Sequence, residues 1–428
     1  MFDRSKYLHD DQVVAYSLLI SCFAAWGIAA NMTDPLVKAF SSIFEMSAFQ
    51  SSLVQFSYYG AYALLALPAA FINRRFSYKV GTMVGLALAA LGAFLFFPAS
   101  QVMTYWMFLL ALFALAGGLS ILETSANPFV IAMGPADTAT RRLNFAQAFN
   151  PIGSNLGVLL ATLFILPNLS TATPDERDAM SDAEQLATRQ EELQAVMTPY
   201  VGYAVFLVLI LIAVAMTRMP AREGNDRPDR SDVSFGATMA RLGTNSHYVF
   251  GVAAQFFNVA AQVCVWTYTI QYTQAALDIG PDRAGWWLQA SLIIFLISRF
   301  LNTWIMGYVR PSSLMLGLAL AGSLLAIYAA FVPNLSGALA VISISACLSV
   351  MFPTIYGTAL EGLGDDTKFG AAGLVMAIVG GALMPMVQGA TLDAAGAPLS
   401  FIVPGLCFLV VAAYSAFDLR VTSADDSE

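Results

Sequence analysis

Charge is what this chain has least of. Only 11% of its 428 residues are Asp, Glu, Lys or Arg, against roughly 25% in an ordinary soluble domain. Together with 58% hydrophobic residues, that scarcity excludes a soluble globular fold. Histidine is scarcer still: His9 lies in the N-terminal tail and His247 at the edge of an apolar run. Two histidines leave nothing for a histidine proton relay, and the apolar runs hold neither His/Asp metal spacing nor a nucleophile–base pair. An intramembrane enzyme therefore has no support, and no cofactor is expected beyond H⁺ as a coupling ion. The four cysteines, Cys22, Cys264, Cys347 and Cys407, all fall inside apolar runs and read as small buried side chains. Short alternating strands are missing, which removes an outer-membrane barrel. Basic residues occur in short clusters beside the apolar runs and the net charge is −8, so no nucleic-acid partner is expected. The first dozen residues are polar and lack a cleavable-signal pattern, so the first apolar run is expected to be retained.

What the chain has in abundance is long apolar runs. About twelve are legible, near residues 13–40, 50–73, 79–98, 103–133, 141–167, 199–218, 247–274, 284–309, 312–332, 336–361, 368–392 and 397–418. A bilayer needs about 20 apolar residues per helix, so each run can cross, and the first and fourth are long enough to tilt. Arg74, Arg75, Lys79, Arg141, Arg142, Arg218, Arg222, Arg227, Arg230, Arg241, Arg310 and Lys368 all fall in loops on one side. By the positive-inside rule that side is cytoplasmic, with both termini on it. The loop between the fifth and sixth runs is acidic instead, with Asp175, Glu176, Asp178, Asp182, Glu184, Glu191 and Glu192 against Arg177 and Arg189.

A polar stretch over 219–245, with Pro220, Gly224, Asn225 and Pro228, divides the chain into 1–218 and 246–428. Within it, Ser234–Leu242 has the pattern of a short surface helix. A weak repeat supports the division: Gly85-Leu86-Ala87-Leu88-Ala89 in the third run recurs as Gly317-Leu318-Ala319-Leu320-Ala321 in the ninth. The expected fold is an all-α polytopic membrane protein of twelve transmembrane helices in two six-helix pseudo-symmetric halves, with a site near mid-membrane.

The candidate site residues are the polar ones inside the runs. Glu123 stands well inside the fourth run, where a carboxylate costs about 2.5–3.5 kcal/mol. It needs a water-filled cavity, a polar partner or a proton pathway. Asn127 lies one turn on and shares its face; the two could also be a structural pair locking neighbouring helices. In the first run Asn31 and Asp34 precede Pro35, which disturbs the helical bonding and frees a carbonyl; Asp34 could also sit in water at the outer surface. Asn144, Gln147 and Asn150 stack along one face of the fifth run, as ligand groups or as interhelical glue. Gln255, Asn258, Gln262 and Trp266 share a face of the seventh, where an indole can stack on the apolar face of a sugar while amides take its hydroxyls. Trp266 could equally anchor at the interface. Arg299, deep in the eighth run, requires a partner or must snorkel. Any proton coupling must run through carboxylates, and Glu123 is the candidate the residues themselves offer.

These residues carry a family resemblance. Trp26-Gly27-Ile28-Ala29 with Asn31 and Asp34, Tyr78-Lys79-Val80-Gly81, Leu122-Glu123-Thr124 with Ala126-Asn127-Pro128-Phe129, and Arg142-Leu143-Asn144 with Ala146-Gln147 and Phe149-Asn150 resemble the fucose:proton symporter family of the major facilitator superfamily. In the second half Ala254-Gln255-Phe256, Ala261-Gln262, Trp266, Arg299-Phe300, Pro353-Thr354-Ile355 and Asp366-Thr367-Lys368 continue it. The resemblance spans nearly the whole chain, and Glu-Thr-x-Ala-Asn-Pro-Phe is its most specific block. It implies a sugar:H⁺ symporter, most simply for L-fucose, with Asp34 and Glu123 in proton coupling and sugar recognition, Asn31, Gln147 and Asn150 on a polar wall, and Arg299 opposite. A monomer in the lipid bilayer, with sugar and proton as its partners, is the expected working form. Ala30, Pro35, Asn258 and Ala70 depart from the family pattern, which bears on the identity of the sugar. Galactose, glucose or an amino sugar on the same fold, a drug antiporter and a non-transporting sensor are the alternatives. Asn150-Pro151-Ile152-Gly153 is only a faint echo of an antiporter motif, and the 219–245 stretch is too short for an effector domain.

Overall fold

The computed structural model describes residues 7–8, 12–43, 48–102, 104–160, 163–164, 179–218 and 234–425. His9, the whole 219–233 stretch with Arg222, Arg227 and Arg230, and the acidic loop residues Asp175, Glu176 and Asp178 with Arg177 lie outside the described residues. The side chain of Asp34, inside the first helix, also lies outside them.

The described chain is helical throughout. The first six spans are α1 (Val13–Ile43), α2 (Ala48–Arg75), α3 (Tyr78–Val102), α4 (Tyr105–Ile131), the pair α5 (Ala139–Gln147) and α6 (Phe149–Leu160), and α7 (Asp182–Met216). A short helix, α8 (Phe235–Thr244), follows. The second six are α9 (Ser246–Leu277), α10 (Pro281–Ile305), α11 (Pro311–Phe331), the pair α12 (Leu335–Leu348) and α13 (Met351–Ala359), the pair α14 (Thr367–Met376) and α15 (Gly380–Ala395), and α16 (Ala397–Ser400) with α17 (Ile402–Asp425). Among the described residues, 10 stretches are long and apolar enough to cross a membrane. The two expected spans outside that set are α2 and α5–α6. One carries Ser57, Tyr58, Tyr59 and Tyr62, and the other Asn144, Gln147, Asn150 and Asn155. Both run into residues outside the described set.

The acidic stretch read as loop is partly helix. Ser181 caps α7 in a capping box, its hydroxyl taking the Glu184 N–H while the Glu184 carboxylate takes the Ser181 N–H at 2.9 Å. That reciprocal cap starts the helix well before its apolar portion. α8 likewise begins at a serine cap, Ser234, whose Oγ accepts from Ala237 N.

Small residues set how closely the spans approach. A Cβ on Gly153 would collide with the backbone oxygen of Ala24, and one on Gly27 with that of Asn150, so α1 and α6 touch backbone to backbone. Gly85 similarly seats against Leu122 of α4, whereas its repeat counterpart Gly317 faces open space. The repeat therefore marks equivalent spans without equivalent packing. Gly153→Val should cost about 1–3 kcal/mol by overpacking and lower the thermal unfolding midpoint of the detergent-solubilised protein. Gly317→Val, measured beside it, should leave that midpoint unchanged.

The halves meet at the end that carries the basic loops. Asn144 Nδ2 donates to Thr354 Oγ1 at 3.2 Å, joining α5 to α13. Phe71 of α2 meets Phe369 of α14 edge-on with centroids 5.0 Å apart. Phe235 of α8 wedges against both rings, at 5.3 and 5.4 Å. The Arg74 guanidinium lies 5.7 Å over Phe369, and Arg241 of α8 forms an ion pair with Asp366 at 2.6 Å. This end is packed shut, and a cavity lies between the halves from mid-depth towards the other end.

Candidate functional site

Three prolines explain much of the local geometry. A proline inside a helix has no N–H for the carbonyl four residues back. Pro151 thereby frees the Gln147 carbonyl at the break between α5 and α6. Arg299 of α10 takes it, Nη1 to O at 3.2 Å, from the other half. Pro128 frees the Thr124 carbonyl, and Asn73 Nδ2 approaches it at 3.4 Å. Asn73 Oδ1 in turn accepts from Ser125 Oγ at 2.9 Å, clamping α2 to α4 next to Glu123. Pro353 marks the second broken span, α12–α13.

The cavity measures about 550 Å³ and is lined by residues of both halves, within the range typical of small-molecule sites. Asn31, Gln147, Asn150, Gln262, Trp266 and Arg299, all expected at the site, border it. Its first-half wall is polar. Asn31 Nδ2 donates back to Gly27 O at 3.2 Å, Asn150 Nδ2 to Phe23 O at 3.4 Å and Gln147 Nε2 to Asn127 Oδ1 at 2.8 Å. Each amide thus commits one N–H to the protein and keeps an acceptor oxygen and a second N–H. The second-half wall is mostly apolar, with Val259, Leu292, Phe295, Phe352 and Ile378 around Gln262 and Trp266.

Two indoles line this space, one from each half. Trp26 Nε1 donates to Tyr62 Oη at 2.7 Å. Trp266 Nε1 donates to Ser345 Oγ at 3.0 Å, and Ser345 meets Ser291 at 2.6 Å. Both ring N–H groups are engaged, so the indoles offer a ligand their carbon faces. Trp26, Tyr58, Tyr59 and Tyr62 were not singled out as lining residues from the sequence. The signal was there, in three tyrosines spaced along one face of an apolar run.

Glu123, Asn127 and Asn258 are buried at 2, 0 and 0% exposure and do not border the cavity. Glu123 lies beneath the cavity floor, within Coulombic range of Tyr62 and Tyr356. Among the described residues, neither of its carboxyl oxygens has a hydrogen-bond partner, and neither does Asn127 Nδ2. Gln147 reaches into the cavity and bonds Asn127, so one polar side chain connects the floor to the Glu123 face. Arg299 is 4% exposed, stacks on Phe295 at 5.1 Å and has no acidic partner among the described residues. Its Nε has no acceptor. Among the described residues, Gln255 and Asn258 have no hydrogen-bond partner for any of their four side-chain polar atoms.

Arg142 is the largest correction to the sequence reading, which counted it as a loop cation. It is wholly buried. Its Nε donates to Val130 O at 2.9 Å, its Nη2 to Ile131 O at 2.5 Å and Gly134 O at 3.2 Å, and its Nη1 to Tyr7 O at 3.0 Å. A helix C-terminus leaves carbonyls without donors and carries partial negative charge. Arg142 satisfies those of α4.

Two helical bundles closing on a polar cavity define a secondary-transporter architecture, and the chain belongs to the Major Facilitator Superfamily, whose family profile matches residues 16–379. It is 40% identical over 425 residues to the L-fucose-proton symporter of Haemophilus influenzae, covering 96% of this chain and 98% of that one. Over 409 residues it is 36% identical to the L-fucose-proton symporter of Escherichia coli, covering 95% and 93%. It is also 33% identical over 407 residues to a glucose/galactose transporter of Brucella abortus, covering 94% and 93%. The crystal structure of the MFS transporter FucP in the outward conformation superposes with a TM-score of 0.90 at 35% identity, covering 95% of this chain and 99% of that one. The resemblance to the fucose:proton symporter family and the all-helical two-half fold read from the sequence are both borne out.

Proposed function

We propose that this protein couples the uptake of a small neutral sugar, L-fucose in the first instance, to the entry of a proton by alternating access. The observation that carries the reading is Glu123. It is a fully enclosed carboxyl beside the Asn127 amide, with no hydrogen bond of normal geometry among the described residues, set under a cavity whose one wall hydrogen-bonds and whose other wall stacks. A partnerless carboxylate in such a place is costly, and a bound proton removes that cost. Each proton that enters with the sugar brings about 2.3 kcal/mol per 100 mV of membrane potential to a neutral cargo.

The polar wall of Asn31, Gln147 and Asn150 would take sugar hydroxyls while Trp26 and Trp266 sandwich the ring. Gln262 and Arg299 complete the second-half side, and Asn258, expected there from the sequence, is buried behind it. Gln147 and Asn127 would pass the presence of sugar to Glu123. Asp34, on α1 beyond Asn31, would be the second proton-coupling carboxylate. The halves, 1–218 and 246–428, would rock about this site with 219–245 as their cytoplasmic tether. The packed basic end is then the cytoplasmic gate, closed, and the cavity faces outward. We place the protein in the bacterial inner membrane with both termini inside, working as a monomer without a cofactor other than the proton.

Uptake of labelled L-fucose into right-side-out vesicles, with and without an imposed inward proton gradient, tests this. Gradient-driven uptake is expected. A competition panel of galactose, glucose and amino sugars reads the substrate, since one relative is named for glucose and galactose. Gradient-driven uptake of another sugar would replace L-fucose. Gradient-independent movement of every sugar would overturn symport.

A further inference from the structure

At the closed basic end a third element stands between the halves. Phe71 of α2 belongs to the first half and Phe369 of α14 to the second, and their rings meet edge-on with centroids 5.0 Å apart. Phe235, the first residue of α8, lays its ring against both, 5.3 Å from Phe71 and 5.4 Å from Phe369. α8 itself is tied to the second half. Arg241 meets Asp366 in a two-pronged bond, Nε to Oδ2 at 2.7 Å and Nη2 to Oδ1 at 2.6 Å. Nη2 also donates to Thr238 Oγ1 at 3.2 Å, one turn back on α8. Asn245 closes α8, and its Oδ1 caps α9 by accepting from Tyr248 N at 3.0 Å. Tyr248 Oη in turn donates to Gly370 O of α14 at 3.0 Å. α8 therefore rides on α9 and α14, and Phe235 reaches from it onto a first-half ring. Two cations are exchanged beside this cluster: Arg74 of α2 lies 5.7 Å over Phe369, and Lys368 of α14 lies 5.8 Å over Tyr78 of α3.

We propose that α8 is the latch of the closed end, with Phe235 as its bolt and the Arg241–Asp366 pair as its mount. The inference rests on the alternating-access part of the symport reading and deepens it. Opening the basic end parts Phe71 from Phe369. α8 stays with the second half, so the Phe235–Phe71 contact is lost in the same movement. That contact stabilises the closed state alone, and so it sets how often the basic end opens. A ring pair suits the task. It carries a factor of about five in an equilibrium constant, enough to bias the halves and too little to jam them. The mount works through geometry. A two-pronged guanidinium–carboxylate bond fixes the direction of its helix as well as the distance. Without it Phe235 is present but no longer held against Phe71. The connection between the halves is then part of the gate as well as their tether.

Thr354, buried against Asn144 where the halves meet, supplies a reporter. In Thr354→Cys the new thiol meets a membrane-impermeant maleimide in inside-out vesicles only while the basic end is open. The four native cysteines are buried, and the unsubstituted chain sets the blank. Adding Phe235→Ala should raise the labelling rate about fivefold, the factor of the lost ring pair. Phe235→Tyr, which keeps the ring, should stay within about twofold of the parent. Arg241→Gln should raise the rate as Phe235→Ala does. The double variant should exceed neither by more than about twofold, because bolt and mount serve one contact. Phe235 is 42% exposed, so its truncation leaves the core intact and the unfolding midpoint in detergent should match the parent's. Faster labelling together with a lowered midpoint in both single variants would mean general loosening and overturn the latch. Unchanged labelling in Phe235→Ala, or rates that multiply in the double variant, would overturn it too. If the parent reporter never labels above the blank, with or without sugar, the basic end does not open, and alternating access falls together with the latch.

Discussion

Glu123→Gln should abolish gradient-driven accumulation while sugar exchange persists. Glutamine matches the carboxyl in size and stays neutral, so it mimics the protonated form without its ability to give the proton up. The carrier can still bind sugar, rock and rock back loaded, because none of those steps needs ionisation. It cannot empty its proton inside, so accumulation above equilibrium should drop to background. The check is paired: uptake under an inward proton gradient, and exchange at equal pH on both sides. Loss of both would mean that Glu123 shapes the sugar site itself. Retention of both would move the coupling to Asp34, whose side chain lies outside the described residues. Glutamine also presents N–H donors beside Asn127 Nδ2, which already lacks an acceptor. A modest gain in sugar-exchange affinity is therefore compatible with the mechanism, and a large loss is not.

The second large effect concerns folding. Arg142→Leu should prevent accumulation of folded protein, or leave a product that unfolds on detergent extraction. The guanidinium bonds backbone carbonyls of Val130, Ile131, Gly134 and Tyr7. Hydrogen bonds to a charged group contribute about 1.5–3 kcal/mol each, and a whole domain has only about 5–15 kcal/mol to lose. Removing the hub leaves the α4 C-terminus bare within a wholly enclosed space. Arg142→Lys should fail almost as badly, since one ammonium cannot span carbonyls arranged around a planar fork. Membrane yield and fluorescence-detected size exclusion would show the outcome. A Leu variant with wild-type yield and midpoint would refute the assignment.

Arg142 also shows where sequence reasoning stopped. Next to Arg141 at the end of an apolar run, it reads as an orientation signal. Only the turn after α4, with Gly134 and Pro135 folding carbonyls inward, makes it a structural centre. Span number and the two-half plan were legible because hydropathy and loop charge report on the bilayer directly. Glu123 was legible because an intramembrane carboxylate is expensive. Its position below the cavity rather than on its wall was not, since helical periodicity gives a face but not a depth. The breaks in the fifth and tenth spans were hinted at by Pro151 and Pro353. That the first break donates a carbonyl to Arg299 depends on tertiary placement, which a single strand of letters does not contain.

The backbone contact between α1 and α6 at Gly27 and Gly153 has a consequence for selectivity. Asn31 and Asn150 sit just beyond it on either helix. With no side chain between the backbones, neither helix can slide or lean without the other. The spacing of the two amides is therefore a fixed calliper, not an adjustable grip. Under the proposed reading, sugars would be measured against it by the positions of their hydroxyls, and a change of preferred sugar would have to come from the jaws and not from the hinge.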